Sequence, residues 1–258
     1  MKAMVFAAGL GTRLKPFTDH HPKALAKVCG RPMLGVVIER LKKFGVDDMV
    51  VNVHHFADQI EDYLHESDDF GITIHVSAER SCLLDTGGGI LAARQWLEGN
   101  EPFIVHNADI LTDVNLNDLA MSFKDNDGMA TLLVSERQTK RYLLFDIVMR
   151  MNGWTNIETG ELRPETLMNT ADLIRFAFGG VHIISPAVFP YLEKFASNFT
   201  RHGDSQSIPK FSIMDFYIAS CQKLNIYGHK PTKPYKWHDI GKPDALIAAE
   251  QDFNCMNL

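Results

Sequence analysis

Cysteine is scarce in this chain. Four occur in 258 residues (Cys29, Cys82, Cys221 and Cys255), and no two form a C-x-x-C pair. That spacing argues against a disulfide frame and a zinc ribbon, and it predicts four reduced thiols in a cytoplasmic protein. Long apolar runs are also missing. No stretch approaches the roughly 18 apolar residues of a membrane-spanning helix, so no membrane partner is expected. The opening segment from Met1 to Ala8 is apolar but short, and Gly9, Gly11 and Arg13 end the apolar run, so it does not read as a secretory signal. Basic charge is not in excess, since the formal net charge is −6. This argues against a nucleic-acid partner, which needs a broad basic footprint, but not against a small anion, which needs only a few local cations. No nucleophile elbow surrounds any serine or cysteine, so covalent catalysis has no support. No histidine pair has the spacing of a zinc-binding helix. His20, His21, His54, His55, His106 and His238 read as polar edge residues, with His238, beside Asp239, placed to orient the site.

The residues that are present are ordinary in amount and specific in arrangement. Hydrophobic residues make up 45% and charged residues 22%, values of a globular chain. A domain of this length buries about 70–75% of its unfolded surface and needs neither disulfide nor metal to fold. The first half alternates strand and helix signals. Strands are expected over 3–8, 49–53, 72–76 and 103–105. Helices are expected over 32–44, 56–64 and 86–97. Strand alternating with helix implies a parallel sheet covered on both faces, with ligands beyond the carboxyl ends of its strands. Both Gly9 to Lys23 and Asn107-Ala108-Asp109 come directly after strands, so both are expected at that edge. The second half is less regular. Strands are expected over 129–134, 143–148, 176–184 and 235–237, the first two antiparallel. Helices are expected over 186–195, 212–224 and 243–253. The polar stretch 152–169 reads as an irregular loop over the site.

The densest information lies in Ala7-Ala8-Gly9-Leu10-Gly11-Thr12-Arg13-Leu14-Lys15-Pro16, with Pro22-Lys23 shortly after it. Glycines after a strand let backbone N–H groups approach an anion. Arg13 adds a planar fork suited to phosphate oxygens, and Lys23 a mobile point charge. A dinucleotide fingerprint would need glycine at Leu14, and a Walker loop would need G-K-[ST] where Leu14-Lys15-Pro16 stands. A lone G-x-G is equally well a tight turn. Two carboxylates, Asp109 and Asp239, suit magnesium, which often takes only one or two protein oxygens, or they cap a turn and the last helix. Asp113, Asp118, Asp204 and Asp215 lack such a context and read as caps or surface.

The loop, with Pro22-Lys23-Ala24-Leu25, closely resembles the signature of sugar-1-phosphate nucleotidyltransferases, the nucleotide-diphosphate-sugar pyrophosphorylases. The resemblance continues at Gly30-Arg31-Pro32-Met33-Leu34, Asp85-Thr86-Gly87-Gly88-Gly89-Ile90, Asn107-Ala108-Asp109 and Trp237-His238-Asp239-Ile240-Gly241-Lys242-Pro243. It spans nearly the whole chain. The sequence contains no β-helix repeat, so the chain is similar to short members, above all N-acetylmuramate-1-phosphate uridylyltransferases and short mannose-1-phosphate guanylyltransferases.

The resemblance implies a three-layer, Rossmann-like (GT-A-like) α/β fold with a mostly parallel mixed sheet, as one domain over 1–258. Residues 1–125 would form a nucleotide-binding half and 126–258 a sugar-binding half. It implies Mg²⁺-dependent condensation of a nucleoside triphosphate, UTP in the first instance, with a sugar 1-phosphate. Asp109 and Asp239 would hold the metal. Arg13, Lys23 and Asp109 would be catalytic. Ala8, Gly9, Gly11, Thr12, Glu79, Gly87, Gly88 and Asn107 would bind the nucleotide, with Glu79 against the base and bare backbone at Gly87 and Gly88. Phe178, Gly179 and Gly180 would border the sugar. Gly153-Trp154 offers either an aromatic face to sugar or a buried tryptophan. Where many relatives carry Glu-Lys-Pro, this chain reads Gly160-Glu161-Leu162-Arg163-Pro164. Guanylyl transfer to mannose 1-phosphate, cytidylyl transfer to phosphocholine, and a non-catalytic sensor on the same fold are the alternatives.

Overall fold

A computed structural model describes residues 1–199, 208–241 and 243–253. The parallel half of the fold keeps to the expected alternation. Strand β1 (Lys2–Phe6) leads through a short hairpin, β2 (Lys27–Val28) and β3 (Arg31–Pro32), to helix α1 (Met33–Lys43). Then come β4 (Asp48–Val53), α2 (Ala57–Glu66), β5 (Thr73–Ala78), α3 (Asp85–Ala92), α4 (Arg94–Leu97) and β6 (Phe103–Asn107). Leu34, Val37, Ile38 and Leu41 form the buried stripe of α1, at the spacing that predicts a helix. Strands β6, β1, β4 and β5 lie side by side and parallel. Every side chain of β1 from Ala3 to Val5 is buried, because helices cover both faces.

The rest turns the sheet largely antiparallel. Its elements are β7 (Ile110–Thr112), α5 (Leu116–Asn126), β8 (Ala130–Ser135), β9 (Arg141–Phe145), β10 (Met151–Asn156), β11 (Glu161–Arg163) and β12 (Ile174–Ile184). They continue with α6 (Phe189–Ala196), α7 (Ile213–Ser220), β13 (Ile226–His229), β14 (Trp237–Asp239) and α8 (Pro243–Asp252). The main sheet has ten strands, in the order β11-β10-β9-β12-β6-β1-β4-β5, with β8 pairing β12 and β13. Strand β12 is the seam. It runs antiparallel to β6 at one end and to β9 at the other, and its register against β8 shifts between Phe178 and His182. That irregularity holds Gly179 and Gly180, and Gly180 has φ +77°, a left-handed conformation that favours glycine. No helix among the described residues is long and apolar enough to cross a membrane.

Four expectations change. Residues 152–169 are not an irregular loop, because β10 and β11 pair across them as a hairpin, with Trp154 opposite Arg163. Helix α5, capped by the Asn115 side chain on the Asn117 N–H, was not anticipated. His106 is not an edge residue but wholly buried. The thiols divide: Cys82 and Cys221 are free, but Cys29 is disulfide-bonded. A missing C-x-x-C does not preclude pairing between distant segments, and the fold carries the Cys29 turn against α8, where its N–H donates to Glu250 Oε1 at 2.9 Å. Lys242, Asp204 and Cys255 lie outside the described residues.

Candidate active site

The phosphate loop leaves β1 and turns at Gly11, whose φ of +63° opens a single 3₁₀ turn over Thr12–Leu14. A Cβ at Gly11 would lie 2.7 Å from the Cβ of Lys23, so only glycine lets the loop close over that lysine. Thr18 Oγ1 secures the closure by donating to the Gly11 carbonyl at 3.0 Å. The Lys23 side chain is thereby one-tenth exposed, and its ammonium is ion-paired with Asp109 and lies 4.0 Å from Asp239 Oδ1.

Two sequence-distant carboxylates thus meet at one ammonium, and strand pairing explains how. Strand β14 lies antiparallel to β7 with Asp239 opposite Ile110. The Ile240 N–H donates to the Asp109 carbonyl at 2.9 Å. Arg13 is exposed, and its guanidinium rests on Gly241, where a Cβ would meet its terminal nitrogen at 2.6 Å. Arg13, Lys23, Asp109 and Asp239 therefore gather at one edge of the sheet, beyond the carboxyl ends of β1 and β6.

A cavity of about 270 Å³ opens there. Of the candidate site residues, Ala8, Gly9, Lys23, Asn107 and Asp109 line it, together with Asn52, Leu83, Asp85, Thr86 and Lys210, which were not foreseen. Asn52, the penultimate residue of β4, is a 2% exposed amide in an apolar run. That lone polar residue was the signal available. Its Oδ1 accepts from the Ala7 N–H at 2.9 Å, fixing the start of the phosphate loop. Asp85, the first residue of α3, has φ +61°, a strained conformation for a residue with a side chain, and its carboxylate accepts from the Thr86 N–H at 2.6 Å.

Three of the expected nucleotide contacts sit behind this cavity rather than in it. Glu79 is 4% exposed; one oxygen accepts from Asn52 Nδ2 and the other from the Leu84 N–H, both at 2.8 Å. Burial raises its carboxyl above the usual range, against those two hydrogen bonds. Glu79 braces the walls: each of its oxygens is already engaged by the protein and its side chain is buried. The N–H groups of Gly87 and Gly88 both donate to the Phe211 carbonyl, so that helix start holds the segment before α7, not a ligand. Thr12 is exposed on the 3₁₀ turn outside the cavity lining.

A second cavity, of about 640 Å³, lies across Asp85, which borders both. Its floor is the face of the antiparallel wing: Arg141 and Leu143 from β9, Trp154 and Asn156 from β10, Glu161 and Arg163 from β11, and Phe178 from β12. Side chains two apart share a sheet face, which is why Trp154 lines the cavity and its neighbour Gly153 does not. Gly153 is buried against the Arg163 backbone and Leu167 instead. Trp154 is half-buried, packing against the core on one side and lining the cavity on the other. Gly179 and Gly180 lie where the two regions meet: the Gly179 carbonyl accepts from Trp237 Nε1 at 2.8 Å, and a Cβ on Gly180 would come within 3.3 Å of the Asn107 amide. Arg137 donates to the Phe178 carbonyl at 2.9 Å and lies over the Trp237 ring, 4.4 Å from its centroid. Asp215, read as surface, faces this cavity and lies 3.6 Å from Arg163.

A sequence profile of the nucleotidyl transferase family matches residues 2–254. The chain belongs to that family. Among curated relatives of this nucleotidyl transferase, the N-acetylmuramate alpha-1-phosphate uridylyltransferase of Neisseria meningitidis is 44% identical over 75% of this chain and 79% of its own. The corresponding enzyme of Caulobacter vibrioides is 30% identical over 96% of this chain and 95% of its own. A solved structure, a putative glucose-1-phosphate thymidylyltransferase from Bacillus anthracis, superposes with a TM-score of 0.75 at 17% identity, covering 98% of this chain and 96% of that one. It shares the Rossmann-like fold of this nucleotidyl transferase.

Proposed function

We propose that this nucleotidyl transferase joins UTP to a sugar 1-phosphate, giving a UDP-sugar and pyrophosphate, with N-acetylmuramate 1-phosphate as the acceptor. The observation that carries the reading is the convergence of Asp109 and Asp239 on the Lys23 ammonium, beneath a phosphate loop and at the wall of a cavity that shares Asp85 with a second one. The smaller cavity takes the nucleotide and the wing cavity the sugar. Both relatives described above act on N-acetylmuramate phosphate, which supports this base and this acceptor.

A sugar-phosphate oxygen attacks the α-phosphorus in line, and the bond to the β,γ-pyrophosphate breaks. Two anions must approach, so the protein's task is positioning and charge neutralisation. Lys23, held under Gly11, presents its ammonium between the attacking and receiving phosphates. The exposed Arg13 fork takes the leaving pyrophosphate. N–H groups of Ala8 and Gly9 meet phosphate oxygens, and the Asn107 side chain borders the nucleotide. Phe178 and Trp154 supply apolar surface to the sugar ring.

The oxygen pair of Asp109 and Asp239 fits magnesium: both carboxylates already face one cationic group, and hard oxygen donors are what that ion takes. When bound there, Mg²⁺ would neutralise charge on the phosphates. A pyrophosphate-release assay tests the reading by crossing the four nucleoside triphosphates with the 1-phosphates of N-acetylmuramate, N-acetylglucosamine, glucose and mannose, and with phosphocholine. UTP with N-acetylmuramate 1-phosphate is expected to give the highest kcat/KM. A preference for GTP with mannose 1-phosphate, or for CTP with phosphocholine, would overturn it.

A further inference from the structure

The wing cavity has three arginines and three carboxylates in its lining, but they are not paired one to one. Arg137, Arg141 and Arg163 line it, in a chain whose net charge is −6. Arg163 is fully engaged: its Nε lies 2.6 Å from Glu161 Oε1, a terminal nitrogen lies 3.6 Å from Asp215 Oδ1, and its guanidinium lies over Trp154. Two of the cavity's three carboxylates are thus spent on one arginine. The third, Asp85, is turned to its own helix N-terminus. Arg137 is tied to the strand that bears Asp239 through its stack on Trp237. Arg141 differs from both. It opens β9 opposite Asn156, which lines the same cavity, and among the described residues no carboxylate, carbonyl or aromatic ring meets its guanidinium.

An arginine fixed at a strand end, facing a cavity with its fork unfilled, is suited to receive a planar carboxylate through two parallel hydrogen bonds. Resting on the reading of the wing cavity as the sugar site, we propose that Arg141 selects an acceptor bearing a carboxylate on the sugar, a second anionic group besides the 1-phosphate. Asn156, its partner across the β9–β10 pair, provides an amide beside it. The nucleotide cavity already has Lys23 for the phosphates, so Arg141 is a cation the phosphate chemistry does not need. Acceptor identity would thus be set by strand side chains of the wing.

The test compares kcat/KM, with UTP, for N-acetylmuramic acid 1-phosphate and for N-acetylglucosamine 1-phosphate, which lacks the carboxylate-bearing ether. It uses wild type, Arg141→Gln and Arg141→Lys. Wild type is expected to prefer the acidic sugar at least about 10-fold, the scale of one charge-assisted hydrogen bond. Arg141→Gln should erode that ratio by about 10-fold or more through KM, and Arg141→Lys should recover part of it. Equal loss on both sugars in Arg141→Gln would overturn the proposal by showing a structural role, as would a wild type that uses the neutral sugar equally well. In the first case the proposed function stands whole; in the second, transfer from UTP to a sugar 1-phosphate stands and the acceptor assignment falls. If wild type releases no pyrophosphate with either sugar, it is the function proposed for the two cavities that fails.

Discussion

The two cavities that meet at Asp85 are built by different means. On the parallel side, functional groups sit in loops and strand ends: Lys23 in a 3₁₀ turn, Asp109 just after β6, Arg13 against Gly241. On the antiparallel side they sit on strands, where Arg141, Trp154 and Arg163 project from one face of consecutive strands. Loop chemistry is constrained by backbone and so leaves glycine, proline and fixed spacing in the sequence. Strand-face chemistry leaves only alternation, which any half-buried strand has. On the proposed function, the first cavity would serve a reaction common to many substrates and the second would be free to change with the acceptor.

The largest expected effects fall on the loop side. Asp109→Asn and Asp239→Asn should each lower kcat at least about 10²-fold, the scale of losing one strong electrostatic stabiliser. Both carboxylates are partly exposed, at 29% and 43%, so the fold should survive. Steady-state pyrophosphate release at saturating Mg²⁺ checks this, and near-normal turnover in both variants would remove them from the reaction. Next comes Arg13→Lys, which keeps charge and loses the fork. A drop of roughly 10-fold or more in single-turnover rate is expected, since one charge-assisted bond is worth about 1.5–3 kcal/mol. Wild-type behaviour would show that charge alone suffices at that position.

Glu79 sharpens the comparison from behind the cavity. If it braces rather than reads, Glu79→Gln should change UTP affinity by less than about 3-fold, because the amide keeps an acceptor for the Leu84 N–H. Glu79→Ala strands that donor and the Asn52 amide and should cost about 1–3 kcal/mol of stability, measured by urea unfolding. A large change in base preference in Glu79→Gln with unchanged stability would place the carboxylate on the base after all.

The seam itself carries a pH dependence. His182 on β12 is wholly buried with neither ring nitrogen partnered by protein, and burial lowers its pKa from 6.5 to about 3. The unfolded chain therefore binds a proton that the folded chain refuses, so this group costs nothing above pH 6.5 and costs increasing stability as pH falls towards 3. The slope approaches about 1.4 kcal/mol per pH unit, or roughly 2 kcal/mol between pH 6.5 and 5. Urea unfolding of wild type and His182→Gln over pH 7.5–5 should show the variant with the flatter profile. Parallel profiles would contradict this assignment.

These regions also differ in how far they could be read beforehand. The strand–helix alternation to β6 was legible because buried parallel strands are near-continuous apolar runs bounded by glycine. The gathering of Arg13, Lys23, Asp109 and Asp239 was legible because their segments carry rigid, specific spacing. The roles expected of Gly87, Gly88 and Glu79 were less so. Their sequence neighbourhood is the same whether a backbone N–H meets a ligand or the Phe211 carbonyl, and only the tertiary placement of the segment before α7 decides. The wing was hidden most fully. Apart from Trp154, its hairpin from Met151 to Arg163 is polar on its cavity face, which reads as a loop when no core-facing alternation outweighs it, and Arg141 carries no signal until Asn156 is placed opposite.

The separation of the two cavities can be measured directly by titrating UTP into Trp154→Ala while measuring KM for the acceptor. Removing one aromatic face from the wing should raise acceptor KM by about 3- to 10-fold, as expected for the loss of a stacking surface worth about 0.5–1.5 kcal/mol. The UTP dissociation constant should stay within about 2-fold of wild type, since Trp154 lines only the second cavity. If UTP affinity falls in proportion to acceptor affinity, the two cavities are one site and the division of labour between loops and strands is wrong.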